Sequence, residues 1–124
     1  MSKHILVLDD DLFTRKLIGM ILERAGYRVS MAANAQEAMT ALRKTPPVDA
    51  ITCDLMMPDV DGLEFIQSLK ADERFTHIPI VVVTAAGLRG TLEQARDLAA
   101  AVVEKPFVDV ALRLAMEQAL GAAV

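Results

Sequence analysis

The chain has no tryptophan, one tyrosine and four phenylalanines, so aromatic residues are only 4% of a sequence that is 53% hydrophobic. Any core must be built from Val, Ile, Leu, Met and Ala, side chains that suit close packing of helices on a sheet. Cysteine is almost missing: Cys53 is single, which excludes an internal disulfide and makes a reducing cytoplasm the natural compartment. Inside an apolar strand that thiol reads as buried and structural rather than nucleophilic. Long hydrophobic runs are missing too. A short apolar run separates His4 from Asp9, and "IPIVVVTAAGL" is broken by a Thr and a Gly, so neither is a signal peptide or a membrane span. There is no basic excess: 13 Lys and Arg face 17 Asp and Glu, for a net charge of -4, which argues against a general binder of nucleic-acid backbones. With 124 residues and no repeat, linker or low-complexity tail, one domain is expected, without room for an output domain after residue 124.

What is present alternates. "HILVL" is a continuous apolar run ending in Asp9-Asp10-Asp11, the pattern of a strand covered on both faces. Phe13, Leu17, Ile18, Ile21, Leu22 and Ala25 then share one helical face, and Gly26 stands where helices commonly stop. "YRVSMA" reads as a weaker second strand. Asn34 with Glu37 resembles a capping box, and Ala35, Ala38, Met39 and Leu42 line a helix that Pro46-Pro47 end. "DAITCD" is a third strand, after which Asp61 and Glu64 start a helix lined by Phe65, Ile66 and Leu69. Pro79 opens a fourth strand, "IPIVVVT", at a first position that tolerates it. Leu88, Leu92 and Ala95 mark a fourth helix whose first turn Gly87 and Gly90 weaken. "AAAVVEKPF" holds a fifth strand, and a last helix runs from about Asp109 to Leu120.

Strands alternating with helices predict an α/β fold: a parallel sheet with right-handed crossovers, helices on both faces, and ligands beyond the carboxyl ends of the strands. Asp9, Asp10, Asp54, Thr84 and Lys105 all fall at or just past strand ends, so they are predicted to converge on one mouth. Three carboxylates brought together repel one another and persist only beside a cation or with some of them protonated. A hard divalent cation such as Mg²⁺ fits, because it prefers oxygen ligands and keeps several waters. A carboxylate oxygen can attack phosphorus when metal and ammonium neutralise the transferring oxygens. Asp54, alone at a central strand end, is the best nucleophile. Asp9 and Asp10 look like metal-side acids, Thr84 can donate a hydrogen bond to the transferring group, and Lys105 adds positive charge.

"ILVLDDD", "CDLMMPDVDG", "VVVTAA" and "EKPF", in that order and spacing, resemble the receiver domains of bacterial two-component response regulators over essentially the whole chain. The resemblance implies a flavodoxin-like, three-layer (βα)5 fold with a parallel five-stranded sheet in the order 2-1-3-4-5, residues 1–124 forming one stand-alone receiver domain. It implies that Asp54 accepts a phosphoryl group from a sensor histidine kinase or a histidine phosphotransfer protein. Mg²⁺ would be held by Asp9, Asp10, Asp54 and the main-chain carbonyl of Met56, while Thr84 and Lys105 hold the phosphoryl group and Lys105-Pro106 is cis. Pro58 and Gly62 would shape the loop into the third helix. The output would be a switched protein–protein interaction, with no direct nucleic acid, no membrane insertion, and no catalysis beyond the domain's own phosphotransfer and dephosphorylation.

Several positions depart from the family pattern. Val102 stands three before the lysine, where a Tyr or Phe linked to the activation switch is usual, and Leu98 stands where a Gly commonly precedes the fifth strand. Met56 and Ala86 occupy positions that tune phosphoryl lifetime in the family, yet neither can orient a water with a polar side chain. Autodephosphorylation is therefore expected not to be fast, and Met56→Asn or Ala86→Glu to change it. On the last helix Asp109, Arg113 and Glu117 form a narrow polar stripe, while Val110, Ala111, Leu112, Leu114, Ala115, Met116, Ala119 and Leu120 cover the rest. That apolar arc is wider than one-sided packing needs, so with the fourth helix and fifth strand it is expected to dock a target protein or a second copy in a homodimer.

Blander readings hold elsewhere. Asp11 suits a helix N-terminus, Asp59 a loop, His4 and His77 surface or strand-flank positions, and Met56 and Met57 packing or loop roles. An EF-hand reading of "PDVDG" fails, because Met57 and Ser68 stand where acids are required. Two other functions stay open. A pseudo-receiver that docks partners without phosphorylation is disfavoured by the intact acids, Thr84 and Lys105. A small Mg²⁺-dependent phosphatase is disfavoured by Met56 in place of a second acid.

Overall fold

The computed structural model describes residues 2–44, 47–57, 60–85 and 89–122. The apolar runs form β1 (His4–Leu8), β2 (Arg28–Ala32), β3 (Ala50–Cys53), β4 (Ile80–Ala85) and β5 (Ala101–Lys105). Between and after them lie α1 (Leu12–Arg24), α2 (Ala35–Leu42), α3 (Gly62–Ala71), α4 (Arg89–Arg96) and α5 (Asp109–Ala122). The five strands pair in parallel in the order β2-β1-β3-β4-β5, the order expected. One element was not foreseen: Met56–Met57 and Val60–Asp61 form a two-residue antiparallel ribbon. It is too short to leave a periodic pattern.

Position in the sheet explains the composition of each strand. The inner strands β1 and β3 are buried at every residue and β4 at all but Ala85, which is why they read as unbroken apolar runs. The edge strands β2 and β5 are half exposed and correspondingly mixed. Alternation along the strands splits the interior in two. Leu6, Leu8, Ile51, Cys53, Ile80 and Val82 meet Leu42, Ile66, Leu69 and Leu92 on the side of α2, α3 and α4. Ile5, Val7, Val81 and Val83 meet Ile18, Leu22, Leu112 and Met116 on the side of α1 and α5.

The helix ends follow local chemistry. Asp11 caps α1 by accepting from Thr14 N–H at 3.0 Å, and Gly26, at φ +99°, takes the left-handed position that ends it. Asn34 Oδ1 accepts from Glu37 N–H at 2.8 Å, but Glu37 returns its bond to Ala33 N–H rather than to that of Asn34. The capping box is thus one residue wider than expected. α2 stops at Leu42, before Pro47; Pro46 lies outside the described residues, as do Pro58, Asp59, Ala86, Gly87 and Leu88. α5 runs two residues past Leu120.

Two readings are corrected. Phe13, assigned to the inner face of α1, is 84% exposed, and Leu17 and Ala25 are exposed as well; the helix meets the sheet through Ile18, Gly19, Ile21 and Leu22. His4 opens β1, the strand-flank position expected, but it is buried rather than at the surface. Its Nε2 lies 2.7 Å from Ser30 Oγ and its Nδ1 3.3 Å from Pro47 O, partners that make burial of an imidazole affordable.

Candidate functional site

Each site residue stands where a strand runs out. Asp9 is the last residue held in the sheet after β1, its N–H donating to Ala32 O at 3.2 Å. Every polar atom of Asp9 has a partner: Oδ1 accepts from Asp11 N–H (2.9 Å), Oδ2 from Lys105 Nζ (2.9 Å), and the main-chain carbonyl from Arg15 Nη1 (2.8 Å). Asp54 follows β3 on the neighbouring strand, its N–H donating to Leu8 O at 3.2 Å. Its Oδ1 accepts from Met56 N–H (3.0 Å) and Thr84 Oγ1 (3.2 Å), and its Oδ2 from Lys105 Nζ (3.0 Å).

The five predicted side chains therefore do come together. Carboxylate oxygens of Asp9, Asp10 and Asp54 lie within 4.8 Å of one another. Asp9 and Asp54 are buried, 1% and 5% exposed, as is Thr84, whereas Asp10 is exposed. Burial pushes the Asp9 carboxyl above its usual range, more than the bonds from Asp11 N–H and Lys105 pull it down, and the Asp54 charge adds to the rise. Burial works the other way on the Lys105 ammonium, but its bonds to Asp9 and Asp54 and their charges outweigh it, so its pKa is raised. Lys105 is thus firmly charged and bridges two of the acids. One ammonium against three carboxylates leaves the mouth short of positive charge, and an all-oxygen donor set suits a hard divalent cation.

The Lys105-Pro106 peptide is cis, as expected. Gly62, at the start of α3, presses on the main chain of Asp54 and Leu55: a β-carbon there would sit 2.6 Å from Leu55 Cα and closer still to Asp54 O. Close approach, not a left-handed backbone, is what demands glycine. Cys53 is buried, and desolvation, then the charges of Asp54 and Asp9, push its thiol far up, so it is inert.

Arg15 escaped the sequence reading. A cation in the first turn of a helix opposes the macrodipole, and that misfit was the available sign of a specific partner, here the Asp9 carbonyl. Met56 is exposed at its side chain, and Ala86 lies outside the described residues.

The response regulator receiver domain family matches residues 5–117. The chain belongs to this family. It is 39% identical over 105 residues to response regulator Rre1 of Synechocystis, covering 83% of this chain but 45% of Rre1, so the chain spans less than half of that relative. It is 34% identical over 96 residues to the polar-differentiation response regulator DivK of Brucella ovis, 77% of each chain. Among solved structures, a sensor protein from Polaromonas superposes with a TM-score of 0.90 at 31% identity over the whole of both chains. The chemotaxis protein CheY4 of Vibrio cholerae gives 0.88 at 26% identity, covering 97% of this chain and all of its own. The protein is a receiver domain of two-component signalling, with an acidic cluster able to hold a metal; receiver domains work with histidine kinases and downstream targets. No helix among the described residues is long and apolar enough to cross a membrane.

Proposed function

We propose that this receiver domain accepts a phosphoryl group on Asp54 from the phosphohistidine of a sensor kinase or histidine phosphotransfer protein, and that the modification switches binding to a target protein. The observation that carries this reading is the pairing of Asp54 with both Thr84 and Lys105 in a pocket it shares with Asp9 and Asp10. In the transfer an Asp54 carboxylate oxygen attacks phosphorus, the phosphorus–nitrogen bond breaks, and the electron pair leaves with the imidazole, which takes up a proton. Lys105 Nζ and Thr84 Oγ1 now donate to Asp54 and need only re-aim to reach the phosphoryl oxygens. Asp9, Asp10, Asp54 and the main-chain carbonyl of Met56 would hold Mg²⁺, which when bound supplies charge neutralisation at those oxygens. Met56 N–H keeps Asp54 Oδ1 in place. The domain catalyses nothing beyond its own phosphotransfer and dephosphorylation, and the buried free Cys53 suits a reducing cytoplasm.

The target surface is the face made by α4, β5 and α5. A groove of about 810 Å³ there is lined by Val102, Phe107, Val108, Ala111 and Leu114, and Val108 and Leu114 are 67% and 59% exposed, more apolar surface than a solvated face needs. Val102 contributes a small side chain where an aromatic ring was the alternative.

Intact mass after incubation with Mg²⁺ and a small acyl phosphate, beside Asp54→Ala, tests the acceptor. A single phosphoryl adduct confined to the wild type is the expected result. No adduct on folded wild type, with a histidine phosphodonor failing as well, would replace this reading by a docking module that works without phosphorylation.

A further inference from the structure

β2 is an open edge of the sheet. Arg28 N–H donates to Lys3 O, and Ala32 O accepts from Asp9 N–H. Arg28, Ser30 and Ala32 therefore turn their main-chain groups toward β1, and alternation turns those of Val29 and Met31 outward. Among the described residues no strand lies beyond them. The strand has no proline and an unbroken register with β1, and its one charged residue, Arg28, stands at its first position, so its centre lacks the devices that usually blunt an edge.

We propose that this edge pairs with the same edge of a second copy, antiparallel about a twofold axis at Ser30, joining two sheets into one. The spacing is self-complementary. With the axis at Ser30, Val29 of each copy stands opposite Met31 of the other, and these are the two residues whose N–H and C=O point outward, so each pair exchanges both hydrogen bonds. The flanks agree with a second copy as the occupant. A β-carbon placed on Gly19 would meet Met31 Cε and Val29 Cγ1 at 2.6 and 3.6 Å, so both side chains lie on the α1 side, where Met31 is still 43% exposed. The axis sets the exposed Met31 of each copy against Val29 of the other across the seam.

On the α2 side, a groove of about 890 Å³ runs along the edge, lined by Arg28, Ser30, Asn34 and Glu37 among others. There Arg28 of one copy stands opposite Ala32 of the other, beside the start of α2 that carries Glu37. The twofold thereby keeps the two Arg28 residues apart.

The experiment is sedimentation equilibrium of the full chain from micromolar to millimolar concentration, with proline and cysteine variants of β2. Proline at position 29 or 31 removes an outward N–H and leaves the bonds to β1 intact. Wild type should move from monomer to dimer mass as concentration rises, and Val29→Pro and Met31→Pro should raise the dissociation constant at least about tenfold with an unchanged circular dichroism spectrum. Oxidative cross-linking gives a second readout that does not depend on tolerance of proline. Ser30 pairs with itself in a non-hydrogen-bonded site, with Cα atoms about 4.5 Å apart, within disulfide reach. The two Arg28 Cα atoms are about 14 Å apart, beyond it. Ser30→Cys should therefore cross-link and Arg28→Cys should not. A wild type that stays monomeric throughout, a dimer that survives both prolines, or equal cross-linking of the two cysteine variants overturns the proposal.

Discussion

Replacing Lys105 by Met removes the ammonium and keeps the length of the side chain, and its effect should depend on divalent cation. Lys105 Nζ sits 2.9 Å from Asp9 and 3.0 Å from Asp54, and the two acid side chains are 1% and 7% exposed. At an effective dielectric constant of about 20, each contact carries roughly 5 kcal/mol of attraction, most of it cancelled by the hydration the three groups give up. Removing one partner leaves buried carboxylates facing one another uncompensated, which costs about 3–5 kcal/mol. The Lys105 side chain is 22% exposed, so the low end applies: about 3 kcal/mol lost in chelator, read as a lower urea midpoint at unchanged slope. Mg²⁺ at about 100 times its dissociation constant returns about 2.7 kcal/mol to whichever protein binds it. The variant should gain more from Mg²⁺ than wild type does, because no ammonium competes for the carboxylates, and the gap between them should narrow. A loss of the same size in chelator and in saturating Mg²⁺ would refute the idea that Lys105 acts as the counter-charge of a cation site.

Thr52 Oγ1 is buried without a hydrogen-bond partner among the described residues. Thr52→Val, nearly isosteric, should raise stability by about 1–3 kcal/mol in urea titrations; a loss instead would mean that the hydroxyl has a partner. Gly62→Ala should cost about 1–3 kcal/mol, since the new carbon meets main chain that cannot rotate away, and amide shifts of Asp54 and Leu55 should move with it. Wild-type shifts there would show that the approach is looser. Asp72 caps its own turn: its pKa is lowered below 3.8 by the Arg74 side chain and then by Arg74 N–H. A carboxyl lowered in the folded state contributes stability that is present above the unfolded value and lost as pH falls through the folded one. Asp72→Asn should therefore be less stable than wild type at pH 7, with the gap closing below pH 3.8, and a gap that persists in acid would contradict this.

The sheet was legible because its inner strands are covered on both faces, so "HILVL" and "IPIVVVT" leave uninterrupted apolar runs that need no phase to interpret. The site was legible because parallel strands deliver the residues after their ends to one mouth, so Asp9, Asp54, Thr84 and Lys105 could be grouped without knowing a distance. Helix faces were less legible. α1 has apolar residues nearly all round, and a 3.6-residue period does not say which arc meets the sheet. Gly19, buried under Met31, decides it, and it turns Phe13 to solvent. The burial of His4 was not legible for a different reason: it depends on Ser30 and Pro47, 26 and 43 residues away, and no local pattern carries that information.

The division of labour among Asp9, Asp10 and Asp11 shows where sequence reading needed geometry most. Three identical side chains in a row differ only in where β1 stops. Asp9 N–H still bonds Ala32 O, which keeps Asp9 in register with the sheet and places it under Lys105. The chain then leaves the strand, so Asp10 faces solvent with a carboxylate oxygen still within 4.8 Å of the other two acids. Asp11 folds its N–H back onto Asp9 Oδ1 and spends its carboxylate on Thr14. One residue of slip would put Asp10 beneath the ammonium and leave α1 without its cap, so the pairing of β1 with β2 that sets the register also assigns each acid its task.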